Sequence, residues 1–503
     1  MPFKSSRKPK TQLINIAVHG LAPILISLIF YFLSPNEISR IQLALAYVLL
    51  QVSWSAYLHW KEGSDDKIPV FALISVMYWV YYALSLFWGT RTTSGVETLI
   101  EKNVPDEAIT WSLALAVTGV FAIWLGMRSR LGTYLVPKKL PELKPGQGSI
   151  HYLRLLMVIG TLLSLYEGVA NLAGGGGRQA LTILSSLVPI LAFAILFRKV
   201  LSGEARQVDK LLVVGFLALR LVIGLSSGWL GAFASIILVC AAVYLAEKRK
   251  IPRLAFVLVV LFTLFFQVGK QEFREAYWTT STTAVSKIDR VKFWTETSYK
   301  KWKDALSDPS GHSLGNAMNQ SMSRVSLLTQ TANVADLTPE TVPYQGGQLY
   351  YYLLITWIPR AVWPDKPSVS DANQFYQVAY GMTNEEDLDH VAIGVGVMTE
   401  AYISFGWYGV VGIMFLIGIF YDVYRRILFS VNSGLLMIGL GIALLPQIIS
   451  IESQMATYLG GIMQQVIFTL LIFSPVIRWR SPQSRLELSL LSSPVRTEVR
   501  TIP

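Results

Sequence analysis

The stretch Ile251–Lys270, IPRLAFVLVVLFTLFFQVGK, carries no charge between Arg253 and Lys270. Coiled as a helix, such a run matches the thickness of a bilayer's hydrocarbon. Hydrocarbon offers no partner to backbone N–H and C=O groups, so the run pairs them internally as a helix. The rest of the chain repeats the pattern. Apolar stretches lie near 13–33, 40–59, 68–89, 109–127, 152–171, 179–197, 210–226, 228–246, 251–269, 403–424, 432–451 and 456–477. The fold class expected is therefore an all-α polytopic membrane protein. It has about 12 transmembrane helices and a large helical periplasmic loop between spans 9 and 10.

Composition agrees. Of the 503 residues, 52% are hydrophobic and only 15% charged, where a soluble chain carries about a quarter charged residues. One soluble core could not bury so many long apolar runs. The N-terminal segment holds Lys4, Arg7, Lys8 and Lys10 before its apolar run. That run is longer than a signal peptide's and lacks a small-residue cleavage site, so a retained first span is expected. The single cysteine, Cys240, excludes an internal disulfide and a thiol-based metal site.

The formal charge of +11 would suggest nucleic acid on a soluble protein. Here it concentrates in alternate loops: the N-terminus, 60–67, 127–150, 198–210, 247–253, 425–426 and the tail after 477. These hold roughly 26 of the 43 lysines and arginines, the positive-inside pattern. The short connections of the other set hold only Arg40, Arg91, Lys102 and Arg178. Both termini are thus expected in the cytoplasm, with no nucleic-acid partner. The organisation expected is spans 1–9 over residues 1–269, an extracytoplasmic loop at 270–402, spans 10–12 over 403–477, and a cytoplasmic tail at 478–503.

The loop is not low in complexity. Ser286–Leu306 and His312–Leu337 read as polar helices, and a short helix is expected from Asp371 through Tyr380. Gly346–Trp363 is aromatic-rich and too short to cross, which suits an interfacial or re-entrant helix. It delivers Arg360 and Lys366, in IPRAVWPDKP, to the outer membrane surface. A guanidinium there can grip two phosphate oxygens of a lipid. Lys270 and Arg274, in FQVGKQEFREAYW, lie at the same interface, and Arg324 follows in SMSRVSLLTQ. Each cation alone reads equally as an anchor or a solvated charge; several aimed at one point make a diphosphate site. Arg220 sits inside the seventh span, where a charge is expensive and a functional candidate. His390, closing NEEDLDH, and Glu400, just before span ten, are candidates to take a proton from a hydroxyl nucleophile. No metal site is assigned. No P-loop or nucleophile elbow is present.

The segments MSRVSLL at Arg324, YQGGQLYYYLL from Tyr344, IPRAVWPDKP, and EAYISFGWYG from Glu400 resemble the bacterial oligosaccharide repeat-unit polymerases. These are the Wzy-type O-antigen and exopolysaccharide polymerases. The likeness is specific over about 324–409 and topological elsewhere. One departure is GLSSGWLG after span seven, where that family often carries an arginine. The resemblance implies a membrane glycosyltransferase of the inner (plasma) membrane, working at its periplasmic face. A glycan chain on one polyprenyl diphosphate passes to an acceptor hydroxyl on a second, and polyprenyl diphosphate leaves. Arg360, Arg274, Arg324, Lys270, Lys366 and Arg220 would face the leaving diphosphate, and Glu400 or His390 would serve as base. The implied partners are polyprenyl-diphosphate-linked oligosaccharides, the bilayer, and flippase and chain-length regulator proteins. No cofactor is implied, because the diphosphate bond supplies the driving force. The competing expectations are an O-antigen ligase, which makes the same transfer to another acceptor, and a transporter of lipid-linked glycan.

Overall fold

The computed structural model describes residues 9–89, 92–94, 101–165, 176–277, 285–307, 326–356, 358, 363, 365–367, 371–388 and 393–480. It is an all-α protein apart from two short antiparallel strand pairs. The long helices, in chain order, are α1 Pro9–Leu33, α2 Arg40–Gly63, α3 Val70–Trp88, α4 Asp106–Arg128, α5 Gln147–Leu165 and α6 Ala180–Leu201. They continue with α7 Gln207–Ser226, α8 Leu230–Lys248, α9 Arg253–Gln267, α10 Val397–Leu428, α11 Leu435–Ile448 and α12 Met455–Phe473.

Among the described residues eight of these are long and apolar enough to cross a membrane: α2 to α6, α8, α10 and α12. The expected twelve therefore stands as eight by length and composition, or nine with the bent pair at α9. The others fall short for separate reasons. Over its described side chains α1 is apolar across Gly20–Leu33, a run that the sequence begins near residue 13, and α11 has 14 residues. Helix α7 carries Asp209, Lys210 and Arg220. Helix α9 breaks and turns by 55° into the short helix Lys270–Tyr277.

Local sequence explains the boundaries. Ser39 caps α2 by accepting from the Gln42 N–H at 3.2 Å, and the Gln42 side chain accepts from the Ser39 N–H at 3.1 Å. This reciprocal box satisfies two donors that a helix start leaves open. Helices α4 and α10 cross closely. A Cβ on Gly126 would stand 2.1 Å from the Phe415 carbonyl oxygen, and one on Gly418 2.2 Å from that of Ile123. Small residues at both positions let the two backbones touch, as membrane helix pairs commonly do.

The basic loops gather at one end. Asp66 pairs with Arg425 at 2.6 Å, and buried Asp422 takes Arg425 at 2.5 Å and Arg426 at 2.7 Å. Arg249 donates to the Ser64 carbonyl at 2.8 Å, and Arg198 meets Glu247 at 2.7 Å. Strand Leu140–Leu143 pairs with Ile477–Arg480, tying the connection between α4 and α5 to the segment after α12. Loops that the charge pattern assigns to one side thus meet at one end of the bundle.

The described parts of the 270–402 segment pack on the opposite end. Its helix Lys287–Ser307 lies across the elbow after α9. Trp294, fully buried, donates its indole N–H to the Phe266 carbonyl at 2.9 Å, and Trp302 donates to that of Phe265 at 3.2 Å. These are carbonyls that the end of α9 leaves without helical partners. Lys301 and Glu272 form an ion pair across the same contact. Of the helix expected over 312–337, Leu328–Leu337 is described and 308–325 lies outside the described residues. It inserts between α3, α4 and α10: Leu327 N–H donates to the Tyr81 carbonyl at 3.0 Å and Ser112 Oγ to that of Leu328 at 2.9 Å. The aromatic stretch forms a 3-10 turn at Gln348–Tyr350 and a short helix at Tyr351–Thr356. The helix expected from Asp371 is present as Asp371–Ala379.

Candidate functional site

Helix α10 is broken near its start. Phe405 and Gly406 leave helical geometry, Gly406 with φ +62°. A Cβ there would be 2.8 Å from the Tyr344 hydroxyl, so the position favours glycine on conformation and on space. The break exposes two carbonyls to the loop: Gln345 N–H donates to Ile403 O and Gly346 N–H to Ser404 O, each at 3.0 Å. The piece from Val397 to Ser404 is thereby a short buried helix, clamped between the Gln345–Gly346 turn and the bundle.

Glu400 lies on this piece and is 1% exposed. Its Oε2 accepts from the Met455 backbone N–H at 2.6 Å, at the first turn of α12. A carboxylate at a helix N-terminus satisfies an open donor and faces the positive end of the helix dipole. Its Oε1 is buried without a hydrogen-bond partner among the described residues. The Tyr350 hydroxyl, close enough to interact with Glu400, pairs with that of Ser404. Ser404 lies one helical turn beyond Glu400, on the same face. Tyr350 stacks on Phe405, ring centroids 6.2 Å apart, and interacts electrostatically with Glu400. Glu400 Oε1 is thus left with hydrogen-bonding capacity unspent near this hydroxyl pair. Buried polar atoms are rarely left so, and functional sites are among the exceptions. Beside them runs a satisfied ladder: Tyr82 meets Thr331 at 3.2 Å, and Thr331 meets Thr399 at 2.8 Å.

A second carboxylate borders this cluster. The Glu452 carbonyl, in the turn between α11 and α12, accepts from Gly396 N–H at 2.9 Å. Its carboxyl interacts with Tyr81 and with Lys270. Glu452 is exposed as a residue, yet its carboxyl group faces the chain. Burial of that group raises its pKa above the ordinary carboxylate value, and Lys270 and Tyr81 oppose the rise. Arg274 follows Lys270 by one turn on the helix Lys270–Tyr277, so the two cations share a face.

Of the residues singled out in the sequence, Glu400 and Lys270 therefore come to the same end of the bundle, with Arg274 beside Lys270. Lys366 is buried, and its ammonium donates to the carbonyls of Thr356 at 3.3 Å and Ile358 at 2.9 Å. It closes the C-terminal end of the short helix Tyr351–Thr356, where a cation is favoured. Arg220 donates to the Ser185 carbonyl at 2.8 Å and stacks 5.2 Å from the Phe216 ring centroid. Those partners belong to α6 and α7, not to the Glu400 cluster. Arg360, Arg324 and His390 lie outside the described residues. Sequence reasoning missed Glu452, Ser404 and Tyr81. A lone carboxylate in a short turn between two apolar helices was the available signal for Glu452.

The model of a family described as a domain of unknown function, DUF8712, matches residues 138–428, more than half of the chain. No curated protein and no solved structure matches the chain.

Proposed function

Because the chain belongs to the DUF8712 family, whose description carries no activity, we propose from the resemblance of its 324–409 segments to repeat-unit polymerases, together with the buried Glu400, that it is a membrane glycosyltransferase polymerising polyprenyl-diphosphate-linked oligosaccharides. The observation that carries the reading is the buried Glu400 Oε1, left without a partner beside the Tyr350 and Ser404 hydroxyls at the end opposite the basic loops. With those loops cytoplasmic, both termini lie inside and the cluster faces the periplasm of a bacterial inner membrane.

In this reading an acceptor hydroxyl attacks the anomeric carbon of the donor glycan. The new glycosidic bond forms as the bond to the polyprenyl diphosphate oxygen breaks, and the hydroxyl proton passes to Glu400 Oε1. Oε2 stays on the α12 backbone, which fixes the carboxylate's orientation while Oε1 works. The leaving diphosphate gathers negative charge, and cations held ready for it lower the barrier. Lys270 and Arg274 stand on the described elbow for that role, with Arg360 and Arg324 assigned to it from the sequence.

The test uses the full chain in proteoliposomes with a polyprenyl-diphosphate oligosaccharide. Growth of the lipid-linked glycan with release of polyprenyl diphosphate is expected; absence of both, with folded protein, overturns the reading. One observation favours a second reading, transport of lipid-linked glycan: α10 is a discontinuous helix, as in many transporters. Movement of a labelled lipid-linked glycan across the bilayer without diphosphate release would select it. Transfer only to an acceptor that is not a polyprenyl lipid would select ligase chemistry.

A further inference from the structure

At the basic end, remote from Glu400, a groove of about 620 Å³ opens between α2, α3 and α4. That is the size of a small-molecule site. Its two walls differ in chemistry. One is apolar, with Phe71, Phe121, Trp124 and Met127. The other is a polar row on α2, Gln51, Ser55 and His59, spaced four residues apart and so aligned on one face. Gln51 donates to Ser55 at 3.0 Å. Phe121 and Trp124 are 45% and 37% exposed, so the groove opens sideways, toward where hydrocarbon would lie. A polar row facing bare hydrocarbon is costly. An occupant with a polar head and an apolar body removes that cost.

The rim fixes the sign of the head. Arg128 closes α4 at the mouth, exposed, with its guanidinium 5.3 Å from the Trp124 ring centroid. Arg425, also at the rim, is already engaged by Asp66 and Asp422. Helices α2 and α4 end here and bring partial negative charge, while α3 begins at Val70 and brings partial positive charge. The exposed Arg128 guanidinium adds the full positive charge that favours an anion at the mouth. We propose that this groove binds one anionic glycerophospholipid, its phosphate on Arg128, its ester oxygens beside Ser55 and His59, and an acyl chain along Phe121 and Trp124. The site is independent of the glycan chemistry at the other end.

The experiment is native mass spectrometry of the full chain after delipidation and equimolar supply of phosphatidylglycerol and phosphatidylcholine. Wild type is expected to retain one phosphatidylglycerol with a preference of about tenfold, the worth of one charge-assisted contact. Ala56→Phe, which fills the groove, is expected to lose the lipid. Arg128→Gln, at an exposed position, keeps a bound lipid but loses the preference, and it carries the test if Ala56→Phe does not fold. Equal retention of the two lipids by wild type overturns the proposal. So does an undiminished preference in Arg128→Gln, or displacement of the lipid by millimolar inorganic phosphate, which would mark a phosphate site instead.

Discussion

Glu400 permits two substitutions that separate its capping role from chemistry. Glu400→Ala removes the acceptor of the Met455 N–H and leaves that donor buried. An unmet buried donor costs about 1–3 kcal/mol, and loss of an N-cap about 0.5–2 kcal/mol. The two describe one event, so about 2 kcal/mol of stability is the expected loss. Glu400→Gln keeps an amide oxygen for Met455 and nearly the same volume. It forfeits the charge–dipole attraction, up to about 2 kcal/mol in partly buried geometry, and it also removes the cost of burying a charge. The net change expected is within about 1 kcal/mol. Thermal unfolding in detergent reads the first quantity, and glycan length with purified lipid-linked substrate reads the second. The expected result is a wild-type melting temperature and no polymer for Glu400→Gln, against lowered stability and no polymer for Glu400→Ala. Polymer of normal length from Glu400→Gln would leave the carboxylate as a helix cap alone and refute its role as base.

Arg360→Ala should abolish polymer while the protein still inserts, because the leaving diphosphate loses a guanidinium; normal chain length on a polysaccharide gel would remove Arg360 from the site. Trp294→Ala should destabilise the elbow by about 3–5 kcal/mol, as for other buried tryptophans, with Trp294→Phe intermediate because it still leaves the Phe266 carbonyl unmet; hydrogen exchange confined to 265–307 would read it, and unchanged protection there would count against the docking described. Glu452 has a folded pKa raised by burial of its carboxyl, against Lys270 and Tyr81. Its contribution is constant below the unfolded value of about 4.3, and stability falls as pH rises from there through the folded value, since the folded chain holds the proton longer. Glu452→Gln should flatten that decline in a melting-temperature profile, and an unchanged slope would show that another group titrates.

Helix positions were legible because hydrocarbon imposes a length and a composition. Each apolar stretch read from the sequence falls on a helix, and the alternation of Lys and Arg between loops anticipates the contacts of Asp66, Arg249 and Arg425 at one end. What crosses the membrane was less legible. The α9 stretch reads as one span, yet its helix ends at Gln267 and turns, with Trp294 and Trp302 donating to the carbonyls of Phe265 and Phe266. Those partners come from a charged helix about thirty residues away. No local window holds that information, because the turn depends on tertiary hydrogen bonds rather than on propensity.

The site was legible in part for the same reason. Glu400 stood out as a carboxylate beside an apolar run, and burial made it conspicuous. Lys366 stood out equally as a cation, but its ammonium goes to the carbonyls of Thr356 and Ile358. Sequence shows which charges lie near a membrane surface; it does not show which of them the chain uses to satisfy its own backbone. The contrast is clearest between Lys366 and Glu400. Lys366 places its ammonium on two carbonyls, whereas Glu400 keeps one oxygen buried and unpaired among the described residues. Stability alone would favour filling that vacancy with an apolar side chain or a partner. A buried carboxylate held by one oxygen, with the other unpaired among the described residues, is the feature on which the proposed acceptor-hydroxyl chemistry rests.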